Sequence, residues 1–216
     1  MPTSAPKHAR AAATRESILT TAERLFAENG VLSVSNRQIS EAAGQGNNAA
    51  VGYHFGTKID LVKAIIDRHT VAIDAGRTEL VRLHQGSRDI RAWVSCMVLP
   101  VTDHLASMGN PTSYARFGAQ IATDPEIRAS LVNEATKSQS LRFAVNQLAA
   151  CTPGLSEGTR AARNSMARIL VTHGCAEFER YLTRPDADPA ASWDECGHQL
   201  VDAIVGIWKA DSTAAD

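Results

Sequence analysis

Long apolar runs are missing from this 216-residue chain. The longest nearly apolar stretch, Trp93 to Val101, contains Ser95 and Pro100 and falls far short of the ~20 residues that a membrane span needs. No span is expected. The N-terminal MPTSAPKHARAAATRES carries basic residues but no apolar h-region, so a secretory signal is not expected and the cytoplasm is the expected location. Cysteine is scarce as well. Cys96, Cys151, Cys175 and Cys196 lie far apart in a chain too large to need staples, so reduced, mostly buried thiols are expected rather than disulfides. Strand-like alternation is confined to Val31 to Ser35, too short to found a sheet, and no repeat at fixed spacing occurs. What is present is 44% apolar and 21% charged residues, enough for one compact protein with a real core and unlike a disordered chain. The net charge of −1 hides an asymmetry: residues 1–58 hold six Lys or Arg against four acids, a balance of +2, and the remainder holds 16 against 19, a balance of −3. A modest positive head on a slightly acidic body suits anion binding, and a motif has to decide which anion.

Helical period runs through almost every other segment, so the class is all-α. A first helix is expected from Thr14 as N-cap to about Asn29, where Gly30 ends it, with Ile18, Leu19, Ala22, Leu25 and Phe26 as its apolar stripe. Ser35 and Gln38 form a capping box for a short helix through Ala43, closed by Gly44, with Ile39, Ala42 and Ala43 facing inward. A third short helix follows at about 48–55, and Thr57 with Asp60 caps a long helix to about His84. Further helices are expected at 88–107, 112–122, 125–150, 156–183 and 190–209, separated by Gly, Pro, Asn and Asp clusters.

Residues 35–58, SNRQISEAAGQGNNAAVGYHFGTK, carry the specific signal. A capped helix, a glycine-containing turn and a second short helix with small side chains make the layout of a helix-turn-helix, whose second helix enters the major groove. Asn47 and Asn48 supply amides for base edges, while Ala49, Ala50 and Gly52 are small enough for close approach to a thymine methyl or the backbone. Tyr53 and Lys58 suit phosphate, which positions rather than specifies. Phe55 is expected in the core, and His54 fits either face, because three successive helical residues cannot share one. The ordering TRESIL…AERLFAENG, S-x-R-x-I-S-E-A-A-G and Y-H-F-G-T-K-x-D-L resembles the TetR family of one-component bacterial regulators over residues 14 to about 64. That resemblance implies phosphate contacts by Ser35, Tyr53 and Lys58 and base contacts near the start of the third helix, with Arg37, Gln38 and His54 completing the candidate DNA set. The eight residues between Gly44 and Tyr53 make this turn longer than the family's usual pattern.

Other motifs are set aside on context. Gly44-Gln-Gly46-Asn-Asn-Ala49 follows a helix rather than a strand, so it is no dinucleotide fingerprint. Gly154-Leu-Ser156-Glu-Gly158 lacks the strand that a nucleophile elbow needs, and Ser156 reads as an N-cap. His173 with Cys175 and Cys196 with His198 diverge by about 200 degrees at i, i+2 on a helix, so packing rather than zinc is expected. Neither a metal nor a cofactor is expected.

Two helical domains follow from this reading. Residues 1–58 are expected to be an N-terminal arm with a three-helix helix-turn-helix domain, and 59–216 a helical effector-binding and dimerisation domain. Met166 and Leu170 on one helix and Leu200, Ile204 and Trp208 on the last are the expected two-fold interface, packed as a four-helix bundle. Trp93, Cys96, Met97, Pro100, His104, Tyr114 and Phe117 are the expected effector pocket, with Pro100 kinking its helix to open space. The function expected is a ligand-responsive repressor, not an enzyme. It would bind a palindromic double-stranded operator as a homodimer and be released by a small apolar or amphipathic effector. A helical enzyme or a protein-binding adaptor is the alternative.

Overall fold

The computed structural model describes residues 5–47, 49–125, 127–128 and 138–212. Helix α1 is Ala5–Asn29, α2 Asn36–Ala42, α3 Ala50–Phe55, α4 Lys58–Leu83, α5 Ile90–Ser107, α6 Tyr114–Ile121, α7 Gln139–Ala150, α8 Glu157–Leu182 and α9 Trp193–Lys209. No strand occurs among the described residues, and none of their helices is long and apolar enough to cross a membrane.

Both capping boxes form as the sequence predicts. The Ser35 hydroxyl accepts from the Gln38 amide N–H while the Gln38 side chain accepts from the Ser35 N–H, and Thr57 and Asp60 do the same for α4. Gly30, Gly44 and Gly56 have φ of +82°, +68° and +78°, the left-handed conformation that lets each chain segment turn out of a helix. Ser156 caps α8 by accepting from Thr159, which gives the hydroxyl a structural role.

Three local expectations need correction. Helix α1 starts at Ala5, not beyond Thr14, because Ala9, Ala11, Ala12 and Ala13 carry the helix through the arm. The expected single helix over 125–150 is broken: Ser138 is an N-cap that accepts from Leu141 and opens α7. Ala42 is exposed, leaving Ile39 as the buried anchor of α2.

Two buried clusters organise the packing. The first joins Ile18, Leu19, Ala22 and Phe26 of α1 to Ile39, Val51, Phe55 and the α4 residues Leu61, Val62 and Ile65. Phe117 and Ile121 of α6 complete it, so this core runs past residue 58 and draws on a distant helix. The second lies among α5, α7, α8 and α9 around Trp93, Leu105, Leu148, Ile204 and Trp208. Helices α5 and α9 pack very closely there. A Cβ on Gly197 would stand 2.5 Å from the Thr102 hydroxyl, so only glycine permits this approach. Tyr114 touches both clusters, which makes the start of α6 the joint between them.

Candidate DNA-binding surface and ligand cavity

Helix α3 is held from behind and bare in front. Val51 and Phe55 enter the first core, while Ala49, Gly52 and Tyr53 face outward, Tyr53 with 85% of its surface exposed. Asn47 stabilises the turn into α3, its Oδ1 accepting from the Ala49 N–H at 2.9 Å. His54 is half-buried and edge-on to Tyr53, with ring centroids 5.1 Å apart. Beside this face the Arg15 guanidinium lies 4.9 Å above the Phe55 ring. The exposed Arg10 lies a little over one turn earlier on α1.

A polar chain crosses from this head into the body. His69 of α4 bonds Glu23 of α1 through Nε2 at 2.8 Å and His104 of α5 through Nδ1 at 2.8 Å. Glu23 also pairs with Arg68, which reaches Glu16 at 2.7 Å and the Thr20 hydroxyl at 3.0 Å. A carboxylate only accepts, so His69 Nε2 donates to Glu23, and the contact from Nδ1 to His104 Nε2 joins the two rings. Burial and the neighbouring His69 hold the His104 pKa below its ordinary value. The Tyr114 ring stacks on His69 with centroids 3.8 Å apart. A second buried carboxylate, Glu179 of α8, fixes the start of α6: it accepts from the Thr112 hydroxyl, from the N–H groups of Ala115 and Arg116 at 3.2 and 2.9 Å, and from Arg116 Nε at 2.9 Å.

Tyr114 also lines a cavity of about 510 Å³ between α4, α5, α6, α7 and α8. Ile66, Ile73, Val101, Leu105, Leu141 and Val171 make most of its wall. Asp74 in that wall accepts from the Ser138 and Ser140 hydroxyls at 2.6 Å each and from Arg77 at 2.9 Å. Burial works against its ionisation, yet the two hydroxyls and Arg77 prevail and hold the carboxyl below the usual carboxylate range. Burial pushes the Arg77 guanidinium pKa below its ordinary value against the pull of Asp74.

Residues 18–65 match the family model of the bacterial regulatory proteins of the TetR family. These residues are a TetR-family domain. Over most of its length the chain shares its fold with solved TetR-type structures. The TetR family transcriptional regulator PfmR from Thermus thermophilus is 19% identical, with 87% of this chain and 96% of that one covered and a TM-score of 0.55. NalD, the secondary repressor of the MexAB-OprM multidrug efflux pump in Pseudomonas aeruginosa, is 22% identical over 88% of this chain and 93% of its own, with a TM-score of 0.56. No curated protein matches the chain in sequence. The TetR-type domain and fold together support a DNA-binding transcriptional regulator.

Within the TetR-type domain, Ser35, Arg37, Gln38, Asn47, Ala49, Gly52 and Tyr53 are exposed together. Ala50 is not: it is buried against the first core, so it supports α3 instead of facing DNA. Asn48 lies outside the described residues. Arg37 is paired with Glu41 at 2.7 Å, and Lys58 donates to the carbonyls of Val31 and Val34 at 3.1 and 2.7 Å, so both cations already have partners. Sequence reasoning misses Arg10 by placing the arm before the first helix, although its alanine run signals helix, and misses Arg15 because the Phe55 ring it lies on is distant in sequence.

The expected effector set is mostly displaced. Of its members only Tyr114 lines the cavity. Trp93 and Cys96 are buried in the second core, Met97 packs against it, and Phe117 stacks on Phe26 in the first. His104 bonds His69, and Pro100 is buried beside Gly76 of α4, closing space between the helices where an opening kink was expected. On the expected two-fold stripe, Ile204 and Trp208 are 1% and 2% exposed and belong to the chain's own core. Leu200 is buried at the edge of a groove between α8 and α9, Leu170 is half-buried and Met166 is exposed.

Proposed function

We propose that the chain is a homodimeric repressor that binds a palindromic operator through α3 and is released when a small molecule fills the cavity. The outward face of α3 on a TetR-type domain carries this reading. Ala49 and Gly52 permit close approach to the groove, the Asn47 and Asn48 amides read base edges, and Tyr53 takes a phosphate. Ser35, Arg37 and Gln38 at the start of α2, with His54 of α3 and Lys58 at the start of α4, flank the same phosphates, joined by Arg10 and Arg15 from α1. Residues 59–216 sense and dimerise. Met166, Ile169 and Leu170 on the outer side of α8 supply the dimer contact. Operator binding goes with a cytoplasmic location.

The coupling route in this reading is the junction. A ligand pressing on Tyr114 moves the ring stacked on His69, and His69 is bonded to Glu23 in the helix that carries the DNA-binding head. A coupling of about 1 to 3 kcal/mol is enough to change operator affinity some 5 to 150-fold. Selection of bound duplexes from a random pool tests the reading. Inverted repeats with half-sites about one helical turn apart, roughly 34 Å, are expected. A pool that stays unenriched, with no salt-dependent duplex binding, would overturn it.

A further inference from the structure

We propose that the ligand of this cavity is an amphipathic organic anion, its carboxylate or equivalent oxyanion received by Arg77 and its body lying along the apolar wall. The proposal rests on the cavity being the effector site and names the class of molecule it takes. Arg77 is 7% exposed and lines the cavity. Its Nη1 donates to Asp74, whereas Nε is buried without any partner and Nη2 has no acceptor among the described residues. A guanidinium offers five N–H donors in a planar fork, and a cation taken out of water with most of that fork unused is built to be completed by an anion.

The surrounding charges point the same way. Three arginines, Arg77, Arg128 and Arg168, line the cavity against two acids, Asp67 and Asp74. Arg128 and Arg168 are exposed and have no ion pair among the described residues, so they draw an anion inward from solvent. A cationic ligand finds no comparable host. Asp74 Oδ1 already accepts from Ser138, Ser140 and Arg77, and beyond that ion pair the exposed charges on the lining are two arginines against the single acid Asp67, a balance that disfavours a cation. A purely apolar ligand would fill the wall but leave Nε and Nη2 of Arg77 without an acceptor.

Decanoate, decanol and decylammonium, three chains that differ in the head group, separate the classes when titrated into the full chain by calorimetry. Decanoate is expected to bind at least about tenfold more tightly than decanol, the scale of one charge-assisted hydrogen bond. Arg77→Gln should bring the two to near equality while decanol binding persists, and Arg77→Lys should restore part of the difference. The double variant Arg128→Gln, Arg168→Gln should weaken decanoate a few-fold, with less effect at high salt. It also carries the charge test should Arg77→Gln not fold. A Cβ at Gly118 meets no atom within 4 Å, so Gly118→Phe sends a ring into the cavity and should abolish binding of every probe by obstructing it. Decanol or decylammonium binding as tightly as decanoate, in a manner that Gly118→Phe abolishes, overturns the anion class and leaves the effector cavity standing. Decanoate binding unchanged in Gly118→Phe places its site elsewhere and overturns the proposal. Absence of binding by all three probes overturns the proposal and the effector reading of the cavity together.

Discussion

A buried carboxylate is stabilising only while its partners stay in place, and Glu179 shows the condition at its most demanding. It is fully buried, pairs with Arg116 and closes the first N–H groups of α6. Glu179→Gln keeps an acceptor but strands the Arg116 charge, and losing one partner of a buried pair costs about 3 kcal/mol or more. Thermal unfolding should therefore fall by roughly 6 °C or more, since each kcal/mol shifts Tm by about 2 to 4 °C in a chain of this size. An unchanged melting temperature would remove Glu179 from its anchoring role. His104 contributes differently. Its pKa is lowered by burial and by His69, with Arg68 adding to and Glu23 opposing the shift, and Tyr114 edge-on beside it. The unfolded chain, at the ordinary 6.5, therefore binds the proton first as pH falls. Stability from this residue is present above pH 6.5 and declines from there down to the lower folded value. Melting curves at about pH 7.5 and about pH 5.5, above and below the ordinary value, should show a smaller acid-side loss for His104→Asn than for the wild type. An equal loss in both would deny the imidazole this part.

At the scale of helices, what the sequence makes legible is whatever short-range chemistry decides. Ser35 with Gln38 and Thr57 with Asp60 are capping boxes in sequence and in structure, because the two partners are three residues apart and need nothing else. The Lys58 ammonium is legible only as a free cation, since its acceptors, Val31 and Val34, lie 27 and 24 residues away. This difference gives the two ends of the DNA-binding head distinct roles. Lys58→Ala should destabilise the loop before α2 by about 1 kcal/mol and weaken duplex binding, while changing the salt slope by less than one charge. Arg10→Ala, on the exposed turn of α1, should leave stability unchanged and lower that slope by about one, across operator sequences alike. Fluorescence anisotropy over a salt series reads both. The assignment fails if the Arg10 variant keeps the wild-type slope.

The whole molecule is where the sequence says least, because an apolar stripe reads the same whether it meets its own chain or another. Ile204 and Trp208 follow the helical spacing of an interface and are nonetheless covered by their own chain, in a core where the close approach of α5 depends on Gly197 and Thr102, residues that no periodicity marks. The cavity escapes the sequence for the same reason: the residues that line it come from α4, α5, α6, α7 and α8 and the segments between them, and only their packing brings Arg77, Tyr114 and Val171 to one space. With α9 turned inward, the apolar side chains still available on the outer side of α8 are Met166, 53% exposed, and Ile169, 48% exposed. A charge at Ile204 would sit in the core and unfold the chain, so it cannot test assembly. Met166→Asp with Ile169→Asp can, because both positions are already in water in the single chain and the monomer loses little by the exchange. In a dimer the same carboxylates would be desolvated against their two-fold mates, and like charges meeting across an isologous contact separate the protomers. Sedimentation at micromolar concentration should show a dimer for the wild type and a folded monomer for the double variant. Its operator affinity should drop by about 10² to 10⁴, the avidity lost when two half-sites are no longer held by one particle. A wild type that sediments as a monomer both free and on operator DNA, or a double variant that remains dimeric, would take α8 out of the interface.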